Sequence, residues 1–545
     1  YIKDLLLFLN NKERKNDSHQ ILCNYCVTDF YSKDKYDQHL HDCKMFHNSD
    51  LTRSILNSKL VTDKNPEPIE FMSTHMKTKQ VFYGYYDFET SCLNDKKQHR
   101  GVSFGVLLFE NGKVYKKILE TAENQTELAR KFFQHIADFR VYAQSKYQQY
   151  PVFTGKKPKE YDVCCLCEKE IEEDPVYHHS HYTGQGIGWA HETCNLQEQK
   201  SNCITMWAHN HNFDLKMLLP ELFTPVKYQN MMYENNYSVI SRSSQKFTSI
   251  TMQIKRLGED FFLPKVNFYD SLSFLASSLE KAAESLHADD LVHSTTFCKQ
   301  MYGNNPLLQK AFTMKGLFPY ETFDYKMLSQ KDIPQKSDFD SVLSGPCSDK
   351  DYHQVQLVWN ELAKLYGSNM TFKQYHDLYL YSDIYLLADV METFKKVTYD
   401  SYGLELSYSP TLPSIGYQAM LLNKVRNNLK PCYTLTDKNL YLEFQKNIVG
   451  GYSACPVKKN RGGPETFLAY IDASNLYGVS MSEFSLPYKY YKTIQEDCQD
   501  YYNSITNTEK YTYFVKADID HWNDDPEKFR QVCTKFHDFV PFPEN

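Results

Sequence analysis

No apolar run approaches the roughly 18 to 20 residues of a membrane-spanning helix, so the sequence offers no candidate span and no membrane partner is expected. A secretory signal is also missing. There is no basic excess: 61 lysines and arginines face 68 aspartates and glutamates, a net charge of -7. A nucleic-acid-binding chain with that balance must confine its cations to local grooves, and part of its acid can serve metal ions. The first residue is Tyr1, not Met, so the chain is expected to start inside a longer product.

What is present reads as globular. Hydrophobic residues make up 41% and charged residues 24% of 545 positions, which excludes a disordered chain and allows three or four domains around a large core. Aromatics reach 15%, with 43 tyrosines, a content that suits stacking on unpaired bases, although core packing is the commoner use. Seven of the 15 cysteines lie in two short windows with histidines. That pattern favours zinc over disulfides and an intracellular, reducing compartment, nuclear if the host is a eukaryote.

The chain is organised around Val81–Thr90, VFYGYYDFET, read as a buried strand. Side chains two apart on a strand share a face, so Asp87 and Glu89 converge on one volume. Buried acids repel unless protons or cations sit between them. In phosphodiester chemistry the usual solution is a Mg²⁺ or Mn²⁺ pair. A strand that merely ends in polar residues fits D-x-E alone equally well. Matching acids recur downstream, however. Asn210 and Asp214 stand four apart before an apolar run, where Asp214 could also open a helix as an N-cap. Tyr379 and Asp383 share one face of a long helix, and Lys315 sits beside Gly316 and an aromatic turn. An acid on the buried flank of an apolar helix is costly unless paired or metal-bound. Between these blocks, Asn111-Gly112 signals a hairpin, and TELARKFFQHIADFRVYAQ an amphipathic helix.

Residues 1–50 hold Cys23-x2-Cys26 and His39-x3-Cys43, with Phe30 and Tyr36 at the two core positions of a ββα finger. This resembles the C2H2 zinc-finger family with Cys as last ligand, which implies one structural Zn²⁺. Residues 51–80 read as a linker. Residues 155–203 look inserted and carry Cys164-x2-Cys167 and His191-x2-Cys194, the spacing of a treble-clef site for a second Zn²⁺. HHSHYTG and AHETCN resemble the HNH or endonuclease VII-like module, which implies His179 as water-activating base. His178 replaces the acid expected before it, so a structural clip is favoured over a nuclease.

Taken in order, D-x-E, N-x2-F-D and Y-x3-D resemble the 3′–5′ proofreading exonuclease of B-family DNA polymerases, protein-primed branch, Maverick/Polinton or related viral type. The resemblance spans roughly residues 81–545. It implies an α/β, RNase H-like exonuclease domain over 81–400, in which Asp87, Glu89, Asp214 and Asp383 hold two Mg²⁺ (or Mn²⁺) and Tyr379 positions the water. It further implies that Asn210 contacts the single-stranded 3′ end, that Ser278 and Leu279 bind single-stranded DNA and a terminal protein primer, and that Lys315 assists catalysis.

Residues 401–545 resemble the start of a polymerase palm. LAYIDASNLYG implies a strand ending at Asp472, a ligand of the catalytic Mg²⁺ pair, with Tyr477 under the incoming dNTP sugar. Gly450 and Gly451 resemble the Y-x-G-G element, with Ile448 in place of its aromatic. Lys458, Lys459 and Arg461 read equally as template-phosphate contacts or as a solvated turn. Residues 480–545 contain neither the fingers lysine block nor the second palm D-T-D. The expectation is therefore a primer-template-dependent DNA polymerase whose present chain has exonuclease activity alone. The alternative is a decayed mobile-element relic that binds DNA or protein through its zinc sites.

Overall fold

A computed structural model describes residues 68–515 with short breaks, the longest at 447–460, together with 21–22, 29–30 and 32–37. The chain divides into two compact units: residues 1–54 with 71–428, and residues 55–70 with 429–545.

The acid-bearing segment forms strand β4, Phe82–Leu93, in the middle of the larger unit's eight-stranded sheet. Its neighbours in chain order are β5, Gln98–Glu110, and β6, Lys113–Thr121. Further on come β9, Cys203–Ala208; β10, Val226–Tyr228; β11, Met231–Ser243; β12, Lys246–Arg256; and β13, Lys265–Asp270. The spatial order is β10-β11-β12-β13-β9-β4-β5-β6. The pairs β13–β9 and β9–β4 are parallel and the rest antiparallel. Asn111 and Gly112 turn β5 into β6 with φ of 49° and 75°. Two successive positive φ values are what a tight hairpin matching strand twist requires, and Asn-Gly tolerates them best.

Period-2 alternation gives β4 two different faces. Phe82, Tyr86 and Phe88 enter the main core against helix α1, Gln125–Gln148, where the Tyr86 and Phe132 rings lie 5.3 Å apart. Tyr83, Tyr85, Asp87 and Glu89 occupy the other face. That face is covered by α8, Phe372–Tyr402, which buries His376, Tyr379, Leu380, Asp383 and Ile384. Close approach is possible because Gly105 stands opposite Asp87: a Cβ there would lie 3.0 Å from Ile384 and 3.2 Å from Leu380.

The linker expected over 51–80 differs in its last third. Phe71, Met76 and Gln80 are buried, the Gln80 amide donates to the Cys203 carbonyl at 2.8 Å, and the Met76 carbonyl accepts from Glu405 N at 2.7 Å. Pro68–Ile69 pairs instead with Cys432–Tyr433 in the smaller unit. The larger unit also runs past 400, because Leu404, Leu406, Ile415 and Leu422 are buried in it. Helix α9, Leu412–Arg426, closes it.

Within 1–50, Ile21–Leu22 pairs antiparallel with Asp29–Phe30 and residues 33–37 are helical. Cys23, Cys26, His39 and Cys43 lie outside the described residues, as do Gly450, Gly451, Lys458 and Lys459.

Gly84 tests the packing of β4. An added Cβ would meet the Leu107 carbonyl oxygen at 2.7 Å and the Met206 sulfur at 2.9 Å. Because Leu107 presents backbone, Gly84→Ala should lower unfolding free energy by about 1–3 kcal/mol in chemical denaturation.

Candidate active site

Three carboxylates from two elements meet at the β4–α8 contact. Single ligand oxygens of Asp87, Glu89 and Asp383 all lie within 4.8 Å of one another. Glu89 and Asp383 are buried and Asp87 is half-buried. The Lys315 ammonium stands 3.6 Å from Asp383. Gly316 lets its loop lie against Tyr379, since a Cβ there would be 3.2 Å from that ring. The Tyr379 hydroxyl is 2.5 Å from that of Tyr320, which also feels Lys315, Glu89 and Asp383.

Asp214 falls outside this closest group, yet Asp87 is the charge it feels first, followed by Asp270 and Glu89. It does not cap its helix: α3 runs His211–Leu222, so Asp214 sits inside the first turn, buried. Asn210 precedes that helix with φ 68°, exposed, and its backbone N–H donates to Asp270 at 2.9 Å.

The electrostatics follow from the crowding. Burial first, and Asp383 second, push the Asp87 carboxyl up to about 7, with Lys315 opposing. Glu89 is raised well above the usual carboxylate range by burial, then by Asp87 and Asp383. Asp214 is raised likewise, by burial and then Asp87. Lys315 is held charged, chiefly by Asp383. The Tyr379 phenol is held protonated by burial and then by Asp383. Asp383 Oδ1 and Asp214 Oδ2 are buried without a hydrogen-bond partner. Orphaned oxygens amid mutually repelling carboxylates are what a divalent cation with hard oxygen ligands would satisfy, so the donor set fits Mg²⁺ or Mn²⁺.

Asp270, His209 and Tyr320 were not singled out from the sequence. Asp270 ends β13 beside β9 and accepts from the N–H groups of Asn210 and Leu272. His209 Nδ1 is 2.9 Å from Ser271 Oγ, and its ring is kept neutral by burial. An acid closing an aromatic strand, as in NFYD, was the available signal for Asp270. Ser103 and His376 lie fully buried under Glu89, with Ser103 Oγ 2.7 Å from Nε2 and Asp377 2.9 Å from Nδ1. Inaccessibility excludes this Ser-His-Asp set as a nucleophile.

Other predicted residues stand apart from this cluster. Ser278 caps α4, Leu279–Glu284, by accepting from Lys281 N, and Leu279 is buried. In the smaller unit, no strand forms at 467–472 among the described residues. The expected strand at Asp472 is therefore corrected to an exposed segment without regular structure, ahead of helix α11, Leu476–Glu483. A strand needs a backbone partner, and none is described here. Arg461 and Tyr477 are exposed as well.

A second ligand group is formed by Cys164, Cys167, His191 and Cys194, again within 4.8 Å. The hairpin β7, Pro175–His179, with β8, Gly186–His191, delivers His191, and the short helix Glu192–Leu196 delivers Cys194. His191 Nε2 is 2.9 Å from the Glu170 carbonyl, which turns Nδ1 toward the sulfurs of Cys167 and Cys194 at 3.4 and 3.8 Å. That is the orientation a zinc-binding imidazole needs, so the set is compatible with zinc. His178, buried, bonds Asn195 at 2.9 Å, and His179 stacks on His181 at 4.9 Å. Among the described residues neither belongs to a metal-competent group.

A mixed α/β protein with a buried carboxylate cluster fit for divalent cations is the class this geometry defines. Residues 196–535 match the family described as DNA polymerase type B, organellar and viral, and the chain belongs to that family. The family's activity is DNA-directed DNA synthesis, with DNA and dNTPs as partners. No curated protein and no solved structure matches the chain. Asp214, Lys315, Tyr379, Asp383, Asp472 and Tyr477 lie within the matched span, and Asp87 and Glu89 precede it.

The raised Asp87 pKa has a stability consequence. Between its ordinary value of 3.8 and about 7 the folded state holds a proton that the unfolded state has lost. Stability from this group is therefore lost as pH rises through that window, and is flat above it. In divalent-free buffer Asp87→Asn should gain on the wild type from pH 4 to about 7 in denaturant titrations. Saturating Mg²⁺ should stabilise the wild type but not the variant.

Proposed function

We propose that the carboxylate cluster is the active site of a 3′–5′ proofreading exonuclease within this polymerase chain, acting on the single-stranded 3′ end of DNA. The observation that carries the reading is the meeting of Asp87, Glu89 and Asp383 within 4.8 Å, with Lys315 and Tyr379 against Asp383. Asp87, Glu89, Asp214 and Asp383 would hold Mg²⁺ or Mn²⁺ on an RNase H-like body. A bound pair supplies Lewis acidity to the attacking water and the departing 3′ oxygen. The Tyr379 phenol stays protonated, so it orients water by hydrogen bonding rather than acting as a base. The Lys315 cation meets charge developing on the scissile phosphate. Asn210 receives the frayed strand. In the smaller unit Asp472 and Tyr477 serve dNTP incorporation. Priming by a terminal protein, through Ser278 and Leu279, a Maverick/Polinton or related viral origin and an intracellular location belong to the same reading. So does structural zinc at Cys164, Cys167, His191 and Cys194 and in the N-terminal finger, with the HNH-like module as a clip.

With a labelled single-stranded primer and Mg²⁺, the chain should release mononucleotides from the 3′ end. Asp87→Ala with Glu89→Ala should slow release by at least about a hundredfold, since outer-shell losses alone cost about 10- to 100-fold. Undiminished digestion by the double variant would refute the assignment. Cys167→Ser should lower bound zinc by one equivalent per chain in metal analysis, and an unchanged zinc content would refute the clip.

A further inference from the structure

Away from the cluster, β4 and α8 are joined by a second polar contact. The Tyr83 hydroxyl donates to Glu392 Oε2 at 3.0 Å, and the Tyr85 hydroxyl donates to Oε1 at 2.5 Å. Lys395, one turn on, donates to the same Oε1 at 3.2 Å and lies over the Tyr83 ring at 3.4 Å from its centroid. Lys395 also stands 3.9 Å from Glu405, whose Oε1 accepts from the backbone and hydroxyl of Ser407. Tyr83, Tyr85, Lys395 and Glu405 are all buried.

The pin and the acid cluster lie on the same two elements, which run in opposite directions. From the midpoint of Tyr83 and Tyr85 to the midpoint of Asp87 and Glu89 is four strand residues, about 13 Å. From Glu392 back to Asp383 is nine helix residues, about 13.5 Å. The spans agree, so fixing Glu392 against the two phenols brings Asp383 level with Asp87 and Glu89. Apolar packing alone would not fix this match. At Gly105 the contact with Leu380 and Ile384 is close but apolar, and the buried Ser103–His376 hydrogen bond ties α8 to β5 rather than to the acid-bearing strand. Repulsion among the three carboxylates pushes that strand and the helix out of register.

Resting on the exonuclease reading, we propose that Glu392 is a positioning residue for the metal-binding carboxylates: it locks the acid-bearing strand in register with the acid-bearing helix. It touches neither substrate nor metal. Its two oxygens each take one phenol, and neighbouring Lys395 offsets its charge, so the pin resists sliding without creating an unpaired buried ion.

The probe is Mn²⁺ binding followed by electron paramagnetic resonance, counting only sites that Asp383→Asn removes. Glu392→Leu should weaken those sites by about tenfold or more, the loss typical of outer-shell changes, and should lower exonuclease kcat with an unchanged KM for a single-stranded oligonucleotide. Tyr83→Phe with Tyr85→Phe, which keeps both rings and removes both hydroxyls, should do the same and decides the matter if Glu392→Leu does not fold. Asp389→Asn is the control for general destabilisation. Asp389 is buried on the same helix but holds the start of α5, Val292–Tyr302, through His293 N and Ser294. It should lower the melting temperature and leave Mn²⁺ affinity intact. Wild-type Mn²⁺ affinity in either folded variant overturns the proposal, as does equal weakening in Asp389→Asn. Mn²⁺ binding by wild-type protein without any digestion would sink the nuclease reading and leave the positioning test standing. No Mn²⁺ binding by wild-type protein would sink both.

Discussion

Mutual repulsion of Asp87, Glu89 and Asp383, held where little water can screen them, is the constraint on which the rest of the larger unit depends. Unscreened like charges a few ångströms apart cost several kcal/mol even at a protein-like effective dielectric. The cluster persists only because both elements that carry it are held from behind. On one side β4 is inserted between β9 and β5 and backed by the aromatic core around Phe132. On the other, α8 is tied through Glu392 and Lys395 and seated on Gly105. Proton uptake and cation binding are then two ways of discharging one electrostatic load, and a site of this kind exchanges the first for the second.

The same logic orders the neighbours. Lys315 pairs with Asp383 at the cluster, and it stays charged because of that acid. Tyr379 and Tyr320 bring hydroxyls rather than charge, so they can hold water without adding to the repulsion. Asp270 ends β13 and Asp214 lies in the helix that follows β9; β13 runs parallel to β9 and β9 parallel to β4, so the C-terminal ends of the three strands lie at one edge. Ligand sites in open α/β sheets form at such strand ends.

Much of this was legible because it is local. D-x-E on a strand, Y-x3-D on a helix, Asn111-Gly112 in a hairpin and Cys-x2-Cys with His-x2-Cys are fixed by short spacings, and spacing survives folding. The features that escaped depend on distant partners. Phe71–Gln80 is polar enough to read as a linker, yet Phe71 and Met76 are buried and the Met76 carbonyl accepts a hydrogen bond from the distant Glu405. The end of the larger unit at 428 rather than 400 follows from Glu405 pairing back to Met76 and Lys395. Tyr83 and Tyr85 read as part of an aromatic run, and nothing in their spacing pointed to Glu392. The strand at Asp472 failed for a different reason: it was implied by the family resemblance alone, and a strand also needs a neighbour, which is not found among the described residues.

Residues from distant parts of the chain thus form two ligand groups of opposite chemistry, one of hard oxygens and one of sulfur and nitrogen. Membership of the type B polymerase family gives the oxygen group its context, and the repulsion within it gives the reason for a cation. The most direct test is anomalous diffraction from crystals soaked in Mn²⁺. The account predicts a strong peak bridging the carboxylates of Asp87, Glu89 and Asp383, with a second near Asp214. An anomalous map with no peak within coordination distance of those oxygens, in crystals that keep the β4–α8 contact, would contradict it.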